Sequence, residues 1–99
     1  MSDRIVLYRA MNEQELHLTR KNGTLSFKKR FKWASQSLEF ITKRVQDGRF
    51  NNSSHKNGAY KHIVKFDIES QKAVKISNNE WQIDRRTNPK INILDVMYA

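Results

Sequence analysis

Ninety-nine residues, 37% of them hydrophobic, allow a single domain with one modest core, in which ten aromatic side chains supply much of what can be buried. Nineteen Lys and Arg against ten Asp and Glu leave a formal net charge of +9, and the lack of cysteine excludes a disulfide framework and thiolate chemistry. No run of 18 apolar residues occurs, so no membrane-spanning helix is expected.

The charge is uneven. Residues 1–34 carry eight basic side chains against three acidic ones, residues 35–65 six against two, and residues 66–99 five against five. A concentrated positive field of this kind favours an anionic macromolecule as partner, whether RNA, DNA or an acidic protein.

In chain order, residues 4–9 (Arg-Ile-Val-Leu-Tyr-Arg) read as a strand, and three consecutive apolar residues suggest a central one. Asn12 then caps a helix over residues 13–21, with Glu15 as its capping-box partner and Met11 placed to staple onto Leu16. Arg20 and Lys21 lie at the negative end of that helix, and Asn22-Gly23 supplies a left-handed stop. Its apolar content is thin, which predicts a surface helix. Residues 24–27 read as a short strand with Leu25 and Phe27 on one face.

The stretch 28–41 organises the middle of the chain. Lys28, Lys29, Arg30 and Lys32 are interleaved with Phe31 and Trp33, and a small turn, Ala34-Ser35-Gln36-Ser37, leads into an amphipathic helix over about 36–47. Leu38, Ile41 and Val45 form its expected buried stripe, with Phe40 beside it and Lys43 and Arg44 outside; Ser35 is the expected cap and Gly48 the stop. A long polar loop at about 49–59 follows, carrying Arg49, His55 and Lys56, and loops of that length often hold function.

The last third alternates as sheet. Residues 60–68 place His62, Val64, Phe66 and Ile68 on one face and Lys61, Ile63, Lys65 and Asp67 on the other. Residues 73–76 and 80–84 follow as strands, the latter with Trp81 and Ile83 inward and Glu80 outward. After a basic loop with Arg85 and Arg86 comes a strand over 91–96, where adjacent Ile93 and Leu94 break the alternation and predict a bulge or a doubly buried strand. The whole reads as an α+β fold: two helices packed on a mostly antiparallel, strongly twisted sheet of five to six strands, one compact domain over residues 1–99.

Several chemistries can be weighed on these residues. His17, His55 and His62 fall on a helix, a loop and a strand without metal-ligand spacing, so no metal is expected. A metal-independent ribonuclease needs a base, an acid and cations around the phosphate, and His55 and His62 beside Lys56 and Lys61 offer those groups. A non-enzymatic reading is a basic nucleic-acid-binding or inhibitory protein of phage or bacterial origin. In it Lys28, Lys29, Arg30, Lys32, Lys43, Arg44, Arg49, Lys56, Lys61, Arg85 and Arg86 contact phosphates while Trp33 stacks on a base.

A third reading comes from a resemblance. Leu7-Tyr8-Arg9, Glu15, the helix ending at Gly23, Lys32-Trp33-Ala34-Ser35-Gln36-Ser37-Leu38-Glu39 and the strand from Tyr60 to Asp67 together resemble small ADP-ribosyltransferase-fold toxin and effector domains. The resemblance implies NAD as cofactor, bound by Arg9 with Tyr8 and Ser35 beside it. It makes Arg9, Ser35, Ser37 and Glu80 the catalytic set: the arginine holds phosphate or ribose, the serines order the pocket, and the glutamate supports an oxocarbenium-like transition state. Gln36 stands where such families usually carry threonine, and Asn78 where arginine-modifying members carry a second acid. The expectation is an enzyme that transfers ADP-ribose from NAD to a macromolecular target, or hydrolyses NAD. It would act in the cytoplasm, its own or a target cell's, and an antitoxin or immunity protein is a possible partner.

Overall fold

The computed structural model describes residues 3–25, 30–47, 61–87 and 89–98. They form β1 (Arg4–Met11), α1 (Glu13–Asn22), β2 (Phe31–Ala34), α2 (Leu38–Gln46), β3 (His62–Glu69), β4 (Ala73–Lys75), β5 (Trp81–Asp84) and β6 (Ile91–Tyr98). All ladders are antiparallel, in two three-stranded sheets ordered β1-β3-β6 and β2-β5-β4. The sheets join where Tyr8 and Ser35 exchange backbone hydrogen bonds of 2.6 and 2.9 Å. Followed through that bridge, the strands run β6-β3-β1-β2-β5-β4. This is the expected α+β arrangement of two helices on antiparallel strands, with a split between β1 and β2 that the strand pattern did not foretell.

Strand alternation sorts the core into two parts. Leu7, Met11, Val64, Phe66, Ile68 and Ile91 point to one side, where Ala34, Ile83 and Leu16 meet them. Ala10 and Ile63 point to the other, where Ile41 and Val45 of α2 cover them, with Tyr8, Phe40 and Met97 at the margin. The first side is the inner face, closed by the second sheet and α1; the second is the outer face.

Local chemistry explains the element ends. Asn12 accepts a 2.8 Å hydrogen bond from the Glu15 N–H at the start of α1, and Gly23 closes the helix at φ 68°, its N–H donating to the Thr19 carbonyl. The Glu15 carboxylate leaves the capping box incomplete and turns to Arg9 and Lys32 instead. This draws α1 further inward than its composition implied: Glu15, Leu16 and Thr19 are all buried, and the Thr19 hydroxyl donates to the Glu15 carbonyl at 2.7 Å.

The cap of α2 is Ser37, not Ser35. The Ser37 hydroxyl accepts from the Phe40 N–H at 3.1 Å, whereas Ser35, held extended by its bridge to Tyr8, accepts from the Ser37 N–H at 3.0 Å. Leu38 becomes the first residue of the helix and is exposed at its end, so Ile41 and Val45 carry the buried stripe. The bulge expected in the last strand is present. Lys65 pairs with Asp95 but Phe66 with Ile93, so Leu94 is the extra residue; it is exposed, while Ile93 and Val96 both pack on the core. Phe27, Gly48 and the loop at about 49–59 lie outside the described residues.

The two serines give a clear test of the capping assignment. Ser37→Ala is expected to cost about 1 kcal/mol in urea denaturation, and Ser37→Asp to recover most of it, because the loss is that of an N-cap acceptor. Equal stability of Ser37→Ala and wild type would show that this hydroxyl caps nothing.

Candidate functional site

Past the Tyr8–Ser35 bridge, β1 and β2 separate, and charged side chains connect them where backbone bonds do not. Arg9 donates from Nε and Nη2 to the two Glu15 carboxylate oxygens at 2.7 and 3.3 Å, and from Nη1 to the Trp33 carbonyl at 2.7 Å. From the β2 side, Lys32 Nζ reaches Glu15 Oε2 at 3.1 Å. One buried carboxylate therefore ties both strands. Burial by itself would raise the Glu15 pKa, but the charge and hydrogen bonds of Arg9, and then those of Lys32, hold it below the ordinary glutamate value.

Inward rotation of Lys32 sets the display of its neighbours. With Lys32 and Ala34 facing in, Phe31 and Trp33 must face out, and Trp33 is 48% exposed. The basic, aromatic-studded strand thus turns its lysine to the interior and its tryptophan to the surface.

In this split lies a cavity of about 380 Å³, within the size range of small-molecule sites. Ala10 and Ala34 come from the separating strands, Phe40, Ile41 and Arg44 from α2, and Ile76 and Glu80 from the turn between β4 and β5, with Arg9 and Trp33 completing the wall. Arg44 lies over the Phe40 ring, its guanidinium carbon 4.4 Å from the centroid, and its Nη2 pairs with Glu80 Oε1 at 2.9 Å. The site combines an apolar, aromatic floor with two arginines and one partly exposed carboxylate. That chemistry suits a planar ring attached to a hydroxylated or anionic group.

The structure therefore brings Arg9 and Glu80, 71 positions apart in the chain (80 − 9), to one pocket together with Trp33 and Arg44. Ser35 is fully buried and is not among the pocket residues; its hydroxyl and that of Ser37 order the turn into α2. Tyr8 is half-buried on the outer face, packed with Phe40 and Met97. His62 lies on β3, its ring edge-on to Tyr98 at 5.7 Å, and is not among the pocket residues.

Arg30 stacks on Phe31 and pairs with Asp84 at 3.0 Å, while Arg85, Arg86, Lys43 and Lys61 are exposed. The Arg30 hydrogen bond, joined by one from the Arg86 N–H, holds the Asp84 carboxyl below its ordinary range. Lys28, Lys29, Arg49, His55 and Lys56 lie outside the described residues. Among the described residues, no helix is long and apolar enough to cross a membrane.

Arg44 had been expected on the solvent face of its helix, and its four-residue spacing from Phe40 was the signal that both would share one wall. Ile76 and the inward turn of Lys32 had no such signal. Comparisons with protein-family models, curated proteins and solved structures find no match to this chain.

Glu15→Gln leaves Arg9 and Lys32 without their common counter-charge and is expected to cost about 3 kcal/mol at pH 7. The wild-type carboxyl has its pKa lowered by folding, so this stabilisation is complete above the unfolded glutamate value of about 4.3 and is lost as pH falls through the lower folded value. Urea midpoints of wild type and Glu15→Gln should therefore converge as the pH is lowered below about 4. A gap that stays constant to pH 2 would contradict the ion-pair assignment.

Proposed function

We propose that this pocket binds the nicotinamide–ribose end of NAD and that the protein is an ADP-ribosyltransferase-like domain. The observation that carries the reading is that Arg9, Glu80 and Trp33, far apart in sequence, line one cavity floored by apolar side chains. The motif resemblance supports the same assignment from the sequence side.

In that reaction the bond between the nicotinamide nitrogen and ribose C1′ breaks. The electron pair passes to the ring nitrogen, which was cationic and leaves neutral. A nucleophile on the target, or water, forms the new bond to C1′ and gives up its proton. Positive charge builds on the ribose as the old bond lengthens, and the Glu80 carboxylate is the anionic group available in the pocket to stabilise it. Trp33 supplies a face for the nicotinamide ring. Arg9 has three of its five N–H groups engaged with Glu15 and Trp33, leaving two for the ligand. Ser35 and Ser37 act by holding the turn that carries α2 to the pocket.

The exposed basic residues, Arg85 and Arg86 after β5 and Lys43 on α2, provide a surface for an anionic macromolecular target. An acidic antitoxin or immunity protein would recognise the same charge.

Nicotinamide release from NAD, with and without a cell extract as acceptor, tests the reading. Turnover by wild type should fall about 100-fold or more in Glu80→Gln. Quenching of Trp fluorescence by NAD should disappear in Trp33→Phe. No NAD-dependent fluorescence change and no nicotinamide release would reject the assignment.

A further inference from the structure

Resting on that reading of the pocket, we propose that Arg44 is its anion-binding residue, and that a ligand phosphate reaches Arg44 by displacing the Glu80 carboxylate. The two arginines of the pocket differ in a way the sequence does not show. Arg9 is only 16% exposed at its side chain and is fastened to Glu15 and the Trp33 carbonyl, so it serves first as a strut between the separated strands. Arg44 is 37% exposed, projects from α2 into the cavity, and rests its guanidinium plane on Phe40, which orients it without occupying its N–H groups. Its ion-pair partner is Glu80, a carboxylate 32% exposed at the same rim.

Partly exposed pairs of this kind are weak, whereas an arginine fork can bind phosphate through two parallel hydrogen bonds. A phosphate arriving beside the aromatic floor therefore exchanges with Glu80 for Arg44. Once displaced, Glu80 is no longer neutralised by the arginine, so its charge is available to the ribose. The ligand class follows: a planar aromatic base joined through a sugar to a phosphate, recognised at the base by Trp33 and at the phosphate by Arg44 on its Phe40 platform.

The test compares two probes that differ by one phosphate, nicotinamide riboside and nicotinamide mononucleotide, titrated into the full chain with Trp fluorescence or amide shifts as readout. Wild type should bind the mononucleotide about 10-fold or more tightly than the riboside. Arg44→Gln should bring that ratio close to one. Glu80→Gln, which removes the competitor for Arg44, should raise the ratio above wild type even if both probes bind more weakly. Lys75→Gln removes the same charge from an exposed position on β4 and should leave the ratio unchanged.

A wild-type ratio in Arg44→Gln, or an equal fall in Lys75→Gln, overturns the assignment while leaving the NAD reading intact. Binding of neither probe by wild type rejects the NAD reading itself, and the Arg44 assignment with it.

Discussion

The Glu15 carboxylate, held between Arg9 and Lys32, is the contact on which the rest of the architecture depends. Six strands with one bridging pair in the middle would close into a continuous sheet if β1 and β2 kept pairing beyond Tyr8 and Ser35. They do not. A buried carboxylate requires counter-charge, and it takes one cation from each strand, with Arg9 also donating to the Trp33 carbonyl. The ladder of backbone bonds gives way at this point to a cluster of side-chain bonds. Such a cluster is a poor source of net stability compared with an apolar core of the same volume, but it sets spacing and register.

That substitution has a geometric consequence. Beyond the bridge, side-chain ties stand among the described residues where backbone hydrogen bonds would otherwise pair β1 and β2, and both strands contribute to the cavity wall. Turning Lys32 inward to reach Glu15 forces Trp33 outward, which supplies the cavity with its exposed aromatic wall. The bridge at Ser35 then delivers the chain to Ser37, whose cap starts α2 at the position that brings Phe40 and Arg44 over the same opening. Positioning of the pocket, display of its aromatic face and placement of its second arginine thus follow from one buried ion cluster and one serine turn.

The other ion pairs have a smaller part. Arg4 with Asp67, and Arg30 with Asp84, pin strand ends at exposed positions, where screening by water and salt leaves them worth little. The Arg44–Glu80 pair is only partly exposed, and the proposed exchange with a ligand phosphate would draw on its weakness. Pairing of these arginines still leaves the exposed surface basic, through Lys43, Lys61, Arg85 and Arg86 among others. That surface is compatible with the anionic partner inferred from the net charge.

Much of the framework could be read from local chemistry. The Asn12 cap, the left-handed Gly23, the alternation of residues 62–68 and the Ile93-Leu94 bulge each depend on a few neighbouring residues, so the chain itself determines them. Composition likewise determined a small basic domain without disulfides. Other features depended on groups distant in the chain. The choice of Ser37 over Ser35 as the cap was decided by the bridge from Tyr8, and the incomplete capping box by the cations that claimed Glu15. Whether Lys32 or Trp33 would face the core cannot be settled by a two-residue period, which fixes only that they face opposite ways. A buried carboxylate from another element settled it, and with it the location of the pocket where Arg9, Arg44 and Glu80 meet.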